Sequence, residues 1–201
     1  MRSNVVPRSF YYRSPDVVAM DLLGKLLVRV YRGIRLSGFI VETEAYFGPE
    51  DPASRARRGG DLAMVMKGDV GRALIYGVHK QWLLNIVAHE EGCYGAVLIR
   101  AIQPVEGVEM MKNHRRVDDV RKLTNGPGRL TCALKVDKSF HKKPLYIPNS
   151  ELRIEWGISI RENRIARSYR IGVTKDLNIP FRFFINNNPY VTRPRYRIKL
   201  E

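Results

Sequence analysis

Cysteine is nearly absent from this chain. The two present, Cys93 and Cys132, show no CxxC spacing and have no histidine beside them in a ligand pattern. A disulfide framework is thereby excluded, a zinc site finds no support, and both thiols are expected to be buried. Long apolar runs are also missing. No stretch approaches transmembrane length, so no membrane association is expected. Met1-Arg2-Ser3-Asn4 leads into no signal-peptide core, so the expected location is the cytoplasm, or the nucleus in a eukaryote. There is no internal repeat and no low-complexity linker, and residues 1–201 are expected to form one domain. Negative charge is in short supply: 20 Asp and Glu stand against 35 Lys and Arg, a net charge of +15. The basic residues are spread among folded segments and not gathered in one tail, which implies a polyanionic partner, nucleic acid foremost.

Against that background the acids of residues 38–55 are a local exception. Phe39 to Tyr46 reads as a β-strand ended by Gly48-Pro49. Alternation puts Glu42, Glu44 and Tyr46 on one face and Val41, Thr43 and Ala45 on the other, toward a core. An anonymous strand of this kind usually turns its polar face to solvent. Here it runs directly into Pro49-Glu50-Asp51-Pro52, a rigid loop suited to holding a site. A carboxylate beside an aromatic platform is what cleavage of an N-glycosidic bond requires: a base to activate water and a face to hold the departing group.

Other segments can be placed from local pattern. Ser14-Pro15 is a helix start with a hydroxyl cap, and Gly24 is its end. Leu26–Tyr31 and Ile34–Tyr46 form a hairpin turning at Arg32-Gly33. Gly95–Ala101 is an apolar strand ending in the cation Arg100, followed by Gln103-Pro104. Val105–Arg116 is helical, with Val108, Met110 and Met111 as core contacts. A helix starts near Thr131, behind the glycine-rich turn Asn125-Gly126-Pro127-Gly128-Arg129. Leu152–Trp156, Ser159–Arg161, Arg164–Val173 and Phe181–Ile185 are strand-like, with a hairpin at Glu162-Asn163. Phe181 and Phe183 read as core. Arg193, Arg195, Arg197 and Lys199 add non-specific DNA affinity.

The segment Ile40-Val41-Glu42-Thr43-Glu44-Ala45-Tyr46, followed by Gly48-Pro49-Glu50-Asp51 and Ala53-Ser54, resembles the signature of the alkyladenine (3-methyladenine) DNA glycosylase family. Matches continue at Phe10–Ser14, Leu22–Lys25, Gly71–Gly77, Val97–Ala101, Gly126–Leu130, Arg170–Val173, Pro180–Ile185 and Asn188–Val191, along almost the whole chain. The resemblance implies a single α+β domain on a curved antiparallel sheet, with flanking helices and a hairpin that enters the minor groove. It implies monofunctional excision of alkylated or deaminated purines from duplex DNA, among them 3-methyladenine, 7-methylguanine, hypoxanthine and ethenoadenine. The flipped base would stack on Tyr46, Glu44 would activate the attacking water, and Arg100 would orient water and phosphate. Asn85 would form part of the pocket floor, and Tyr76 or His79 would be the wedge in the duplex. Arg57, Arg58, Gly126, Gly128 and Arg129 would contact the DNA backbone. No metal and no organic cofactor are implied, and the expected state is a monomer.

Two departures from the family pattern stand out. The path from Gly60 to Met64 is several residues short, and Arg55 falls where the family carries a histidine that stacks on the base. Arg55 either lines the pocket or turns outward to a phosphate; Arg57 and Arg58, which follow it, favour the outward arrangement. The rival classes are a non-catalytic basic DNA binder, a glycosylase with altered lesion range and a lysine-dependent glycosylase-lyase. A pure binder has no reason to set Glu42 and Glu44 toward phosphate, and no lysine stands near the acidic strand.

Overall fold

The computed structural model describes residues 4–192; the basic end at Arg193, Arg195, Arg197 and Lys199 lies outside them. Eight strands form one antiparallel sheet: β1 (Leu26–Tyr31), β2 (Ile34–Tyr46), β3 (Ala73–Val78), β4 (Gln81–Val87), β5 (Ala96–Glu106), β6 (Leu152–Glu155), β7 (Ile165–Ser168) and β8 (Arg182–Ile185). Strand order is β3-β4-β5-β2-β1-β6, with β8 paired to both β2 and β7. The four α-helices are α1 (Pro15–Asp21), α2 (Gly60–Lys67), α3 (Val108–Arg115) and α4 (Pro127–Leu134). The mixed architecture and the antiparallel sheet are as the sequence predicts.

β2 is the spine. It pairs with β5 along its length, with β1 through its first half and with β8 through Glu42, Thr43 and Glu44. Its register on β5 shifts between Ile40 and Thr43, a bulge of the kind that bends a strand and re-aims side chains beside a site. From Val41 onward the two faces alternate, whereas Ile40, before the bulge, is also in the core. Val41 and Ala45 enter the main core with Leu22 of the loop after α1, Met111 of α3 and Leu130 and Leu134 of α4. Thr43 Oγ1 donates to the Ala19 carbonyl of α1 at 2.8 Å. Tyr46 on the opposite face meets a smaller cluster under α2, with Ala63, Met66, Leu74, Tyr76 and Val87.

Both hairpins next to the site turn on two residues. Tyr31 pairs with Ile34 and Val78 with Gln81. Arg32 and Gly33 have φ of 50° and 77°, and His79 and Lys80 have 47° and 62°, the type I′ signature. The second turn places two non-glycine residues in the left-handed region, a local cost that fits an exposed functional tip.

Several boundaries differ from expectation. Ser14 does not cap α1; its hydroxyl donates to Asp16 Oδ1 instead. β5 runs through Gln103-Pro104 to Glu106, because Gly38 lets the strands approach: a Cβ there would sit 2.7 Å from the Gln103 carbonyl. α3 therefore starts only at Val108, after Gly107 in the left-handed region. α4 begins earlier than Thr131, at Pro127, where proline suits a first turn. Ser159–Arg161 is not a strand, and Glu162–Arg164 is a 3₁₀ turn without a hairpin; β7 pairs with β8. β7 ends at Ser168, well short of Val173. Cys93 is exposed in the β4–β5 connection and Cys132 half-buried, so neither is the buried thiol expected.

Candidate active site

The sheet register assembles the site. Leu74, Asn85, Leu98, Glu44 and Arg182 are direct neighbours across β3, β4, β5, β2 and β8, so their side chains share one face. On that same face, two residues beyond this row, lie Tyr46 of β2 on one side and Tyr76 of β3 and Arg100 of β5 on the other. Residues from 44 to 182 thus converge through strand pairing alone.

Glu44 is fully buried and held by three groups. Oε1 accepts the Ile171 N–H at 2.7 Å and lies 3.2 Å from Arg100 Nη1, while Oε2 accepts the Tyr46 hydroxyl at 2.8 Å. A carboxylate offers about four lone-pair sites, and among the described residues these three contacts leave one on Oε2 unused. Glu42, also fully buried, has a different neighbourhood. Its Oε1 accepts Arg100 Nε at 2.8 Å and Arg182 Nε at 2.7 Å, and its Oε2 the Thr192 N–H at 2.6 Å. Two acids and two guanidiniums balance in charge, the condition under which buried ions persist. Burial disfavours the Arg100 cation, but the charges of Glu44 and Glu42 prevail and raise its pKa. Burial, reinforced by the Glu44 charge, pushes the Tyr46 phenol well above its ordinary range, which keeps it a donor.

Behind Tyr46 stands a clamp that its sequence did not reveal. Arg170 lies 4.6 Å over the Tyr46 ring and grips Asp51 with both ends of its fork, at 2.6 and 2.7 Å. It also bonds Asp176 and the Ala45 carbonyl. Burial alone would raise the Asp51 pKa, but Arg170 and the N–H groups of Phe47 and Ala53 outweigh it and lower the value. Asp51 thereby fixes the loop after β2. β7 ends early because Tyr169–Val173 must turn inward to deliver Arg170 and the Ile171 N–H. Arg182 was equally invisible: read as part of an aromatic strand, it is 3% exposed and anchors Glu42.

The sequence-expected residues divide clearly by place. Glu44, Tyr46, Asn85 and Arg100 come together. Asn85 is buried, and its amide donates to the Leu74 carbonyl at 3.1 Å. Tyr76 and His79 part company: Tyr76 is half-buried on the pocket face, whereas His79 sits exposed at the hairpin tip. Burial raises the Tyr76 pKa, opposed by Arg55 and Asn85 at its hydroxyl. Arg55 lies inward, its guanidinium 4.7 Å over the Tyr76 ring, against the outward arrangement expected for it. It occupies a 3₁₀ turn, Arg55–Arg58, whose hydroxyl cap Ser54 accepts the Ala56 N–H at 3.1 Å; Arg57 and Arg58 are exposed there. The short path after Gly60 is the helix α2, tied to β3 through His141, which donates to Asp61 at 2.9 Å and accepts the Ile75 N–H at 3.0 Å.

Gly126 and Gly128 are buried, not open to a backbone contact by their surface. A Cβ on Gly128 would meet Gln81 Oε1 at 1.6 Å, so that glycine admits the hairpin against α4. Arg129, half-buried, bonds Asn125 at 2.6 Å. Among the described residues no three His, Cys, Asp or Glu side chains gather to hold a metal ion.

A basic protein with a donor-clamped glutamate beside two tyrosines on a bulged sheet fits the class of DNA N-glycosylases. The chain belongs to the methylpurine-DNA glycosylase family, whose model matches residues 9–189. Similar proteins named "Putative 3-methyladenine DNA glycosylase" occur in Aeropyrum pernix, 47% identical over 95% of this chain and 94% of that protein, and in Prosthecochloris aestuarii, 40% identical over 94% and 91%. A third, from Gloeobacter violaceus, is 40% identical over 92% of this chain and 85% of its own length. The chain is accordingly a DNA N-glycosylase, a hydrolase of DNA repair.

Proposed function

We propose that the enzyme removes alkylated or deaminated purines from duplex DNA by flipping the nucleotide into the pocket bounded by Tyr46, Tyr76 and Asn85. The observation that carries this reading is the buried Glu44 carboxylate itself, fixed by Arg100 and the Ile171 N–H with Oε2 against the Tyr46 hydroxyl. A water held there loses its proton to Glu44 as it attacks C1′ of a sugar gaining oxocarbenium character, and the base departs with its bonding electrons. The ion pair to Arg100 and the Ile171 N–H fix the carboxylate, so its orientation needs no rearrangement during the reaction. Arg170, covering one face of Tyr46, holds the ring for stacking on the other.

His79 at the hairpin tip fills the gap left in the duplex, Tyr76 walls the pocket, and Arg57, Arg58 and Arg129 meet phosphates. Water as nucleophile leaves an intact abasic site, and the protein acts as a monomer beside the chromosomal DNA. The test is incubation with duplexes carrying one hypoxanthine, ethenoadenine or 7-methylguanine, followed by alkaline cleavage. Strand breaks at the lesion only after alkali are expected. Breaks before alkali, or none with any lesion, overturn the reading.

A further inference from the structure

Four guanidiniums border the pocket, and they are not equivalent. Arg100 pairs with Glu42 and Glu44, Arg182 with Glu42, and Arg170 with Asp51 and Asp176. Arg55 has no such partner: among the described residues no carboxylate lies within ion-pairing distance of it, and its contacts are the Tyr76 ring at 4.7 Å and the Tyr76 hydroxyl. The excess acid of the Asp51–Arg170–Asp176 group sits behind Tyr46, screened by that ring. Arg55 is therefore the one unneutralised cation at the pocket wall. Its fork is also the only one of the four not already saturated by acids. We infer that Arg55 is a specificity-determining residue that selects neutral purine lesions over cationic ones; this rests on the glycosylase reading above.

Two physical effects act in the same direction. Purines alkylated at N3 or N7 carry a formal positive charge, and a permanent guanidinium opposite them is repulsive in a partly desolvated pocket. One face of the Tyr76 ring already bears Arg55, so the ring's attraction for a second cation is weakened by the protein's own charge. Neutral hypoxanthine, in contrast, presents O6 and N7 as adjacent acceptors, the edge that a guanidinium fork reads bidentately. Methylation at N7 removes one of those acceptors and adds the charge, so 7-methylguanine loses on both counts. The arginine stays charged across all working pH values, so this bias cannot be titrated away.

Single-turnover excision of hypoxanthine and of 7-methylguanine from matched duplexes tests the inference, each variant being compared with the wild type so that intrinsic bond lability cancels. Arg55→Met keeps the stem over Tyr76 and removes the charge. It should raise the 7-methylguanine to hypoxanthine rate ratio by about tenfold, the scale of one partly screened charge several ångströms away. Arg55→Lys keeps the charge without the fork: hypoxanthine excision should fall while the discrimination against 7-methylguanine persists. Melting temperatures and the salt dependence of binding are measured alongside. A ratio within twofold of wild type in Arg55→Met overturns the inference. So does a uniform loss on both substrates with a salt slope lower by about one unit, which marks a phosphate contact. Should the wild-type enzyme excise neither base, the glycosylase reading itself fails; if it excises both and only the ratio refuses to move, Arg55 alone has been misassigned.

Discussion

Replacing Glu44 by Gln separates chemistry from architecture at this site. Glutamine is nearly isosteric, so its carbonyl can keep the Ile171 N–H now 2.7 Å away, and the Tyr46 hydroxyl can reverse to accept from the amide. What disappears is the base and the charge opposite Arg100. A positioned general base contributes about 10²–10⁴ in rate. That corresponds to roughly 3–5 kcal/mol of barrier. The structural loss is smaller: charge-assisted hydrogen bonds exceed neutral ones by about 1 kcal/mol, and three contacts weaken unequally. A total near 2 kcal/mol lowers the melting temperature by roughly 4–8 °C for a chain of this size. The protein therefore stays folded at 25 °C while excision falls by at least about a hundredfold, and binding to lesion DNA holds or tightens because one negative charge near phosphate is gone.

Glu42→Gln should show the opposite pattern. It removes the acid shared by Arg100 and Arg182, and breaking a buried pair costs about 3–5 kcal/mol. Its rate loss on the remaining folded protein should be the lesser. The pair of assays is single-turnover excision of hypoxanthine and thermal melting. Glu44→Gln within tenfold of wild type, with Glu42→Gln inactive at an unchanged melting temperature, would place the base one alternation away and refute the argument.

Three further outcomes are expected. Borohydride should trap no covalent protein–DNA adduct if water is the nucleophile, as proposed; a trapped adduct directs attention to Lys67 or to Lys80 in the hairpin turn. His79→Ala should weaken binding to lesion duplex by roughly 1–3 kcal/mol and do so less when the lesion is mismatched, whereas Tyr76→Ala should affect both contexts alike. The Asp51 pKa is depressed in the folded state, so its stabilisation is present above the ordinary carboxylate pKa and lost as pH falls through the folded value. Asp51→Asn should therefore melt lower at neutral pH and show a flatter decline below about pH 4; parallel curves for variant and wild type would sink that claim.

Much of this protein was legible because it depends on neighbours in sequence. The Arg32-Gly33 turn, the alternation of Glu42, Glu44 and Tyr46 against Val41, Thr43 and Ala45, and the basic balance of the chain are local or additive properties. Alternation has a period of two, so naming one core-facing residue assigned the others from Val41 to Tyr46, but not Ile40, which the bulge also sends into the core. The tertiary structure decided what those side chains meet. Arg170 bonds Asp51 across 119 residues and Arg182 bonds Glu42 across 140, and no local pattern marks either arginine among the many in this chain. The strand expected through Val173 ends at Ser168 because pairing with the buried Asp51 and the partly buried Asp176 exerts a stronger demand than β-propensity does on Arg170. Likewise the stretch Arg55-Ala56-Arg57-Arg58 reads as one basic cluster, yet a 3₁₀ turn sends the first guanidinium onto Tyr76 and leaves the last two exposed. Charge in a sequence is only a sum; which cation is neutralised, and which is left facing the pocket, is fixed by distances that the folded chain alone sets.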